Sequence, residues 1–169
     1  MPPGGWQTPV PQQQGWAGGV PLASWGSRAG ALIIDALILL IPVVVLIVII
    51  VGVAAGSEAG AIVTGIIGFL AYFIATLFYA PFLMARQGEH NGKTFGKQAL
   101  GIRVVRDTGQ AFDMGSAFIR ELAVKNLLFG FIGGFFFSIP TLLDWLWPLW
   151  DDQNRALHDM VVKTHVVKA

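Results

Sequence analysis

SRAGALIIDALILL, residues 27–40, puts an arginine at the mouth of an apolar run and an aspartate two turns inside it. Seven residues apart, Arg28 and Asp35 fall on one face of an α-helix, roughly 10 Å apart along its axis. An ionised aspartate near the middle of a bilayer costs about 2.5–3.5 kcal/mol even on lenient insertion scales. Asp35 therefore needs a partner, a raised pKa or a wet cavity, whereas Arg28 at the interface can snorkel to water. Two turns is far for direct contact, so a shared water or a third residue is the expected bridge. Two readings stay open: a structural latch inside a small bundle, or a site that binds an ion, a proton or a substrate group.

Working outward, the composition agrees with a membrane setting. Of 169 residues, 54% are hydrophobic and only 12% charged, about half the charge of a soluble domain. The net charge of +1 offers no general attraction to nucleic acid. With no cysteine, disulfides, thiolate metal sites, cysteine nucleophiles and lipid attachment through cysteine are excluded. Residues 1–21, with five prolines, five glycines and a glutamine run, cannot bury a core and are expected to be disordered. They lack a basic stretch before an apolar core, so the first span is expected to serve as an uncleaved signal. Trp6 and Trp16 in this tail read as incidental.

Residues 29–54 form the first expected span, with Pro42 tolerated as a local kink. Residues 61–85 form the second. No lysine or arginine occurs between Ala29 and Ala85. Gly60, Thr64 and Gly68, and likewise Ala61 and Gly65, recur every fourth residue and would let the two helices approach closely as an antiparallel hairpin. Residues 86–126 then hold Arg86, Lys93, Lys97, Arg103, Arg106, Arg120 and Lys125, most of the chain's eleven basic residues. The positive-inside rule assigns this segment, and with it the N-terminus, to the cytoplasm.

Within that segment GIRVV, RDTG and QAF read as a short β-hairpin, and Asp113 as the N-cap of a helix from Met114. Residues 127–150 allow one crossing, but the strand-like end VVKTHVVKA is natural to pair with GIRVV, and pairing needs both in one compartment. A broken hairpin satisfies this: a helix from about 114 to 136, a turn near Gly133–Pro140 and a short return helix through Asp144. The return helix is short for 30 Å of hydrocarbon, so a re-entrant form fits too.

GKTFGK suggests phosphate binding, but the glycine spacing is short by one residue and a membrane span precedes it, so the nucleotide reading fails. Lys93, Lys97 and Arg103 are instead expected to contact anionic lipid headgroups. His158 and Asp159 are adjacent and diverge by about 100° on a helix, which speaks against an acid–base dyad. His90 and His165 lack a carboxylate at helical spacing, so neither a metal nor a cofactor is expected. Trp145, Trp147 and Trp150 beside Asp151 and Asp152 read as an interfacial aromatic belt. No Ser-His-Asp or Cys-His arrangement is visible, which leaves an enzyme as the least expected class.

SRAGALIID, NGKTFGKQALGIRVV, AFIREL and NRALHDMVVKTHVV, in that order, resemble the RDD family of bacterial membrane proteins. The resemblance covers about residues 22–168. It implies that Arg28 and Asp35 are the family's arginine and first aspartate, and that Asp159, or in competition Asp144, is the second. It also implies a transporter of unknown ligand, with sodium/proton exchange in occasional members. The expectation is thus a small all-α polytopic membrane bundle over residues 22–169, with a cytoplasmic β-hairpin. It would sit in the cytoplasmic membrane with both termini inside, as a small-solute or ion transport component built on the polar site. The alternative is a non-catalytic scaffold or accessory subunit of a larger membrane complex. Since secondary transporters usually carry two repeats, a transport role in so short a chain calls for a homo-oligomer or a larger assembly.

Overall fold

The structure, a computed structural model, describes residues 19–132 and 138–169. The expected disordered tail lies almost wholly outside the described residues. Ser24 opens the first helix: its hydroxyl accepts from the Ser27 amide, 3.3 Å. Helix α1 then runs unbroken over Trp25–Ala54 with Pro42 inside it. Ser57 caps α2, Glu58–Met84, by accepting from the Gly60 amide at 3.0 Å. The two helices pack as an antiparallel hairpin in which small residues of α2 receive the side chains of α1. A Cβ on Gly68 would stand 2.2 Å from Leu46 Cδ1, and one on Gly60 3.1 Å from Val53 Cγ1.

Both helices are long and apolar enough to cross a membrane. Along α1, large apolar side chains are exposed from Leu32 to Val51, roughly 28 Å of axial rise, close to the thickness of bilayer hydrocarbon. Asp35 sits one turn inside that zone.

Everything else gathers at the end where α1 begins and α2 finishes. After a turn at Gly88–His90 come α3, Phe95–Ala99, and strand β1, Ile102–Arg106. Helix α4, Met114–Phe118, continues as a π-helix through Ile132. Helix α5, Ile139–Leu146, α6, Leu157–Val161, and β2, Thr164–Lys168, complete the chain. β1 and β2 pair antiparallel, from Ile102 opposite Lys168 to Arg106 opposite Thr164. The entering chain lies along β2 as well, with the Ala23 amide donating to the Val166 carbonyl at 2.9 Å. Ile102, Val104 and Val166 close over Ala31, Met84, Phe112 and Ala117 to form the small core.

The anticipated hairpin within residues 101–112 does not form. Asp107–Gly109 does turn, with the Gly109 amide on the Arg106 carbonyl at 2.9 Å. The chain after it is captured otherwise: Asn91 accepts from the Phe112 amide and donates to its carbonyl, each at 2.8 Å. β1 is thereby left to pair with the far C-terminal strand. Asp113 does cap α4, accepting from the Ser116 amide at 2.7 Å while its own amide donates to Ser116 Oγ. The expected helix to residue 136 is described only to Ile132, and residues 133–137 of the anticipated turn lie outside the described residues. With eight residues, α5 rises only about 12 Å, too little to cross hydrocarbon. It buries Asp144 and leaves Leu142, Trp145 and, just beyond it, Trp150 exposed.

Candidate functional site

Asp35 has no cationic partner among the described residues. Its carboxylate accepts from Tyr79 Oη at 2.7 Å, Thr94 Oγ1 at 2.6 Å and the Gly96 amide at 2.7 Å. Thr94 also caps α3 by accepting from the Lys97 amide. The loop GKTFGK is thus the arm that folds back onto α1 and solvates its buried acid. Gly96 makes this possible, since a Cβ there would lie 2.0 Å from the Ala31 carbonyl oxygen. Gly92 plays a similar part at φ +75°, where a Cβ would meet the Val104 carbonyl. Arg86 holds the same arm through the Leu83 and Lys93 carbonyls and lies over the Phe95 ring, 5.3 Å from its centre.

Arg28 pairs with Asp159, Nη1 to Oδ2 at 2.6 Å, rather than with Asp35. The other oxygen of Asp159 takes Arg120 Nη2 at 2.5 Å and Thr164 Oγ1 at 3.2 Å, while the Ala156 amide donates to Oδ2. Burial alone would raise the Asp159 pKa, but the guanidinium charges of Arg120 and Arg28 outweigh it and hold the carboxyl well below its ordinary range. Arg120 also pairs with Glu121, whose second oxygen takes Lys125 Nζ at 3.3 Å. Asp144, the competing aspartate, joins from α5 by another route, accepting from the His158 amide at 2.8 Å and facing its Nδ1 at 2.7 Å. Arg120 Nη2 stands 3.0 Å from His158 Nε2. A guanidinium cannot accept, so Nε2 must, which puts the ring proton on Nδ1 toward Asp144.

Most of these groups, though not Asp159, Thr164 or Gly96, line a cavity of about 400 Å³ beside α1. Lys97, expected at the lipid headgroups, points into it, and no carboxylate stands within ion-pair distance of its ammonium among the described residues. Burial lowers its pKa to about 8, Lys125 and Arg120 adding to the shift and Glu121 and Asp35 opposing it. Arg28 Nε and Nη2 are likewise buried without a partner. Lys93 and Arg103 are half-buried and do not line the cavity. His90 is exposed beside Glu89. His165 holds Asp107 at 2.6 Å and Gln153 at 2.8 Å across the sheet edge.

Sequence reasoning missed Tyr79, Thr94, Gly96, Arg120, Glu121 and His158 as members of the network. Only AFIREL, with adjacent opposite charges in an apolar setting, carried a visible signal.

A membrane-capable helical hairpin whose buried arginines and aspartates hold a small mixed cap in place defines the class. The chain belongs to the RDD family, a membrane-associated family whose profile matches residues 22–163. It is similar to the Proline-rich antigen of Mycobacterium leprae (strain TN), 26% identical over 159 residues, covering 83% of this chain and 58% of that protein. The chain therefore spans less than two thirds of that relative's length. No solved structure matches.

Proposed function

We propose that the protein is a transport component of the bacterial cytoplasmic membrane that takes its ligand in the cavity beside α1. The observation that carries this is Lys97. A cation at a cavity wall with no carboxylate in ion-pair reach among the described residues is costly to desolvate, and a ligand would relieve that cost. In this reading the cap faces the cytoplasm: the basic residues of 86–126 set the side, and the pairing of residues near 22, 104 and 166 keeps both termini there. In so short a chain, without a second structural repeat among the described residues, a homo-oligomer or a larger complex is the working unit.

The test is flux of sodium, protons or phosphate into liposomes holding the full chain. Lys97→Gln removes no internal bond and should keep the fold while lowering the flux at least tenfold. The second reading is a membrane scaffold, and the saturation of Asp35 and Asp159 by internal donors favours it. Absence of flux for all three probes would select the scaffold.

A further inference from the structure

Among the described residues of the network every carboxylate oxygen has a donor, whereas some cationic donors have no acceptor. Both oxygens of Asp35, Glu121, Asp144 and Asp159 already accept from side chains or amides. What remains among the described residues is the half-buried Lys97 ammonium at the cavity wall, with the buried Arg28 Nε and Nη2. A ligand that answers unpaired cationic donors is acceptor-rich and anionic.

The shape adds a second property. The α1 residues in the lining run from Trp25 through Arg28, Ala29, Leu32, Asp35 and Ala36 to Leu39, one helix face extending about 21 Å from the cap into the hydrocarbon zone. Across from it lie Thr76 and Ala80 of α2. The polar groups crowd the cap end, and beyond Asp35 the lining is apolar apart from Thr76, whose hydroxyl donates to carbonyls of its own helix. Leu32 and Ala36 line the cavity and are also exposed on the hairpin's outer surface, so the slot communicates sideways with the lipid.

We infer that the cavity binds an anionic amphiphile, a membrane phospholipid whose phosphate meets Lys97 and the spare donors of Arg28 while an acyl chain lies along Ala36 and Leu39. The inference rests on the reading that the cavity holds a ligand, and it names the class. A zwitterionic lipid would bring a quaternary ammonium into a pocket whose carboxylates are already engaged. A small water-soluble anion would leave the apolar part of the slot unfilled.

The experiment is retention of lipid by the full chain in detergent, read by native mass spectrometry with equal amounts of phosphatidylglycerol and phosphatidylcholine of the same chains. Wild type should retain phosphatidylglycerol roughly tenfold over phosphatidylcholine, the scale of one charge-assisted hydrogen bond. Lys97→Gln should abolish that preference, while Lys97→Arg and the control Lys93→Gln keep it. Ala36→Phe, placed at the slot rather than among the charges, should lower retention of phosphatidylglycerol severalfold with an unchanged melting temperature. Equal retention of the two lipids, or a preference untouched by Lys97→Gln, overturns the inference. So does stabilisation of wild type but not Lys97→Gln by inorganic phosphate without retained lipid, which would make the site one for a soluble anion. Binding is read here without any gradient. Failure of the flux assay therefore leaves the inference standing, and flux without lipid preference overturns it alone.

Discussion

Arg28 and Asp35 share a helix face but not a partner. Arg28 reaches Asp159, 131 residues away, and Asp35 is solvated by three neutral donors. Single and double substitutions should separate the two arrangements. Asp159→Asn leaves Arg28 and Arg120 buried without their common carboxylate and should cost roughly 3–5 kcal/mol. Asp35→Asn turns an amide NH2 toward groups that themselves donate, at about 1–3 kcal/mol. Arg28→Gln with Asp35→Asn should be additive within about 0.5 kcal/mol, whereas Arg28→Gln with Asp159→Asn should couple. Chemical unfolding in detergent measures both; strong coupling of Arg28 to Asp35 would refute the assignment. Titration gives a further check. The folded pKa of Lys97, about 8, lies below its ordinary 10.5. Between these values the unfolded chain binds more protons, so stability rises with pH across that window. Lys97→Met should flatten the slope, and amine labelling of Lys97 should be half-maximal near pH 8. For Asp159 the folded pKa is also depressed. Its contribution is complete above the ordinary carboxylate range and is lost as pH falls from about 4 toward the folded value.

At the scale of elements, α3 matters more than its five residues suggest. Its first turn supplies two of the three donors to Asp35, and Gly96 allows it to lie against the Ala31 carbonyl. Gly96→Ala should push it off α1 and cost roughly 1–3 kcal/mol, as overpacking generally does, with Asp35 left unsolvated in addition. A melting temperature equal to wild type would mean that α3 docks by other contacts. Strand β2 closes the sheet, and Val166 and Val167 are almost fully buried. Deleting residues 161–169 exposes the β1 edge and the core beneath, and also removes the carbonyl that receives Ala23. The melting temperature in detergent should fall by several degrees or more.

For the whole molecule, the strand order ties together what the chain separates by more than 140 residues. The segment before α1, β1 and β2 are hydrogen-bonded to one another, so residues 22, 104 and 167 must lie on one side of any membrane. Reporters fused within residues 107–111 and after Ala169 should give the same compartment. Opposite compartments would mean that residues 114–146 cross once and that the sheet does not form in the membrane.

The sequence by itself determined the apolar hairpin, its small-residue contact, the cap at Asp113 and the strand character of both β segments. Each of these follows from composition or from spacings within a few residues, where helix and strand periodicity act directly. Only the tertiary structure decided where the charges go. A carboxylate in apolar surroundings is satisfied by whichever donors the fold brings, and periodicity along α1 says nothing of a threonine and an amide 59 and 61 residues on. For β1 the sequence offered two partners, QAF and the C-terminal VVKTHVVKA, and the fold took the second. Local turn chemistry at Asp107–Gly109 favoured QAF as its partner, but Asn91 captured Phe112 and the C-terminal strand took the free edge. Long-range hydrogen bonds of this kind leave no local periodicity, and they position Lys97 at the cavity wall.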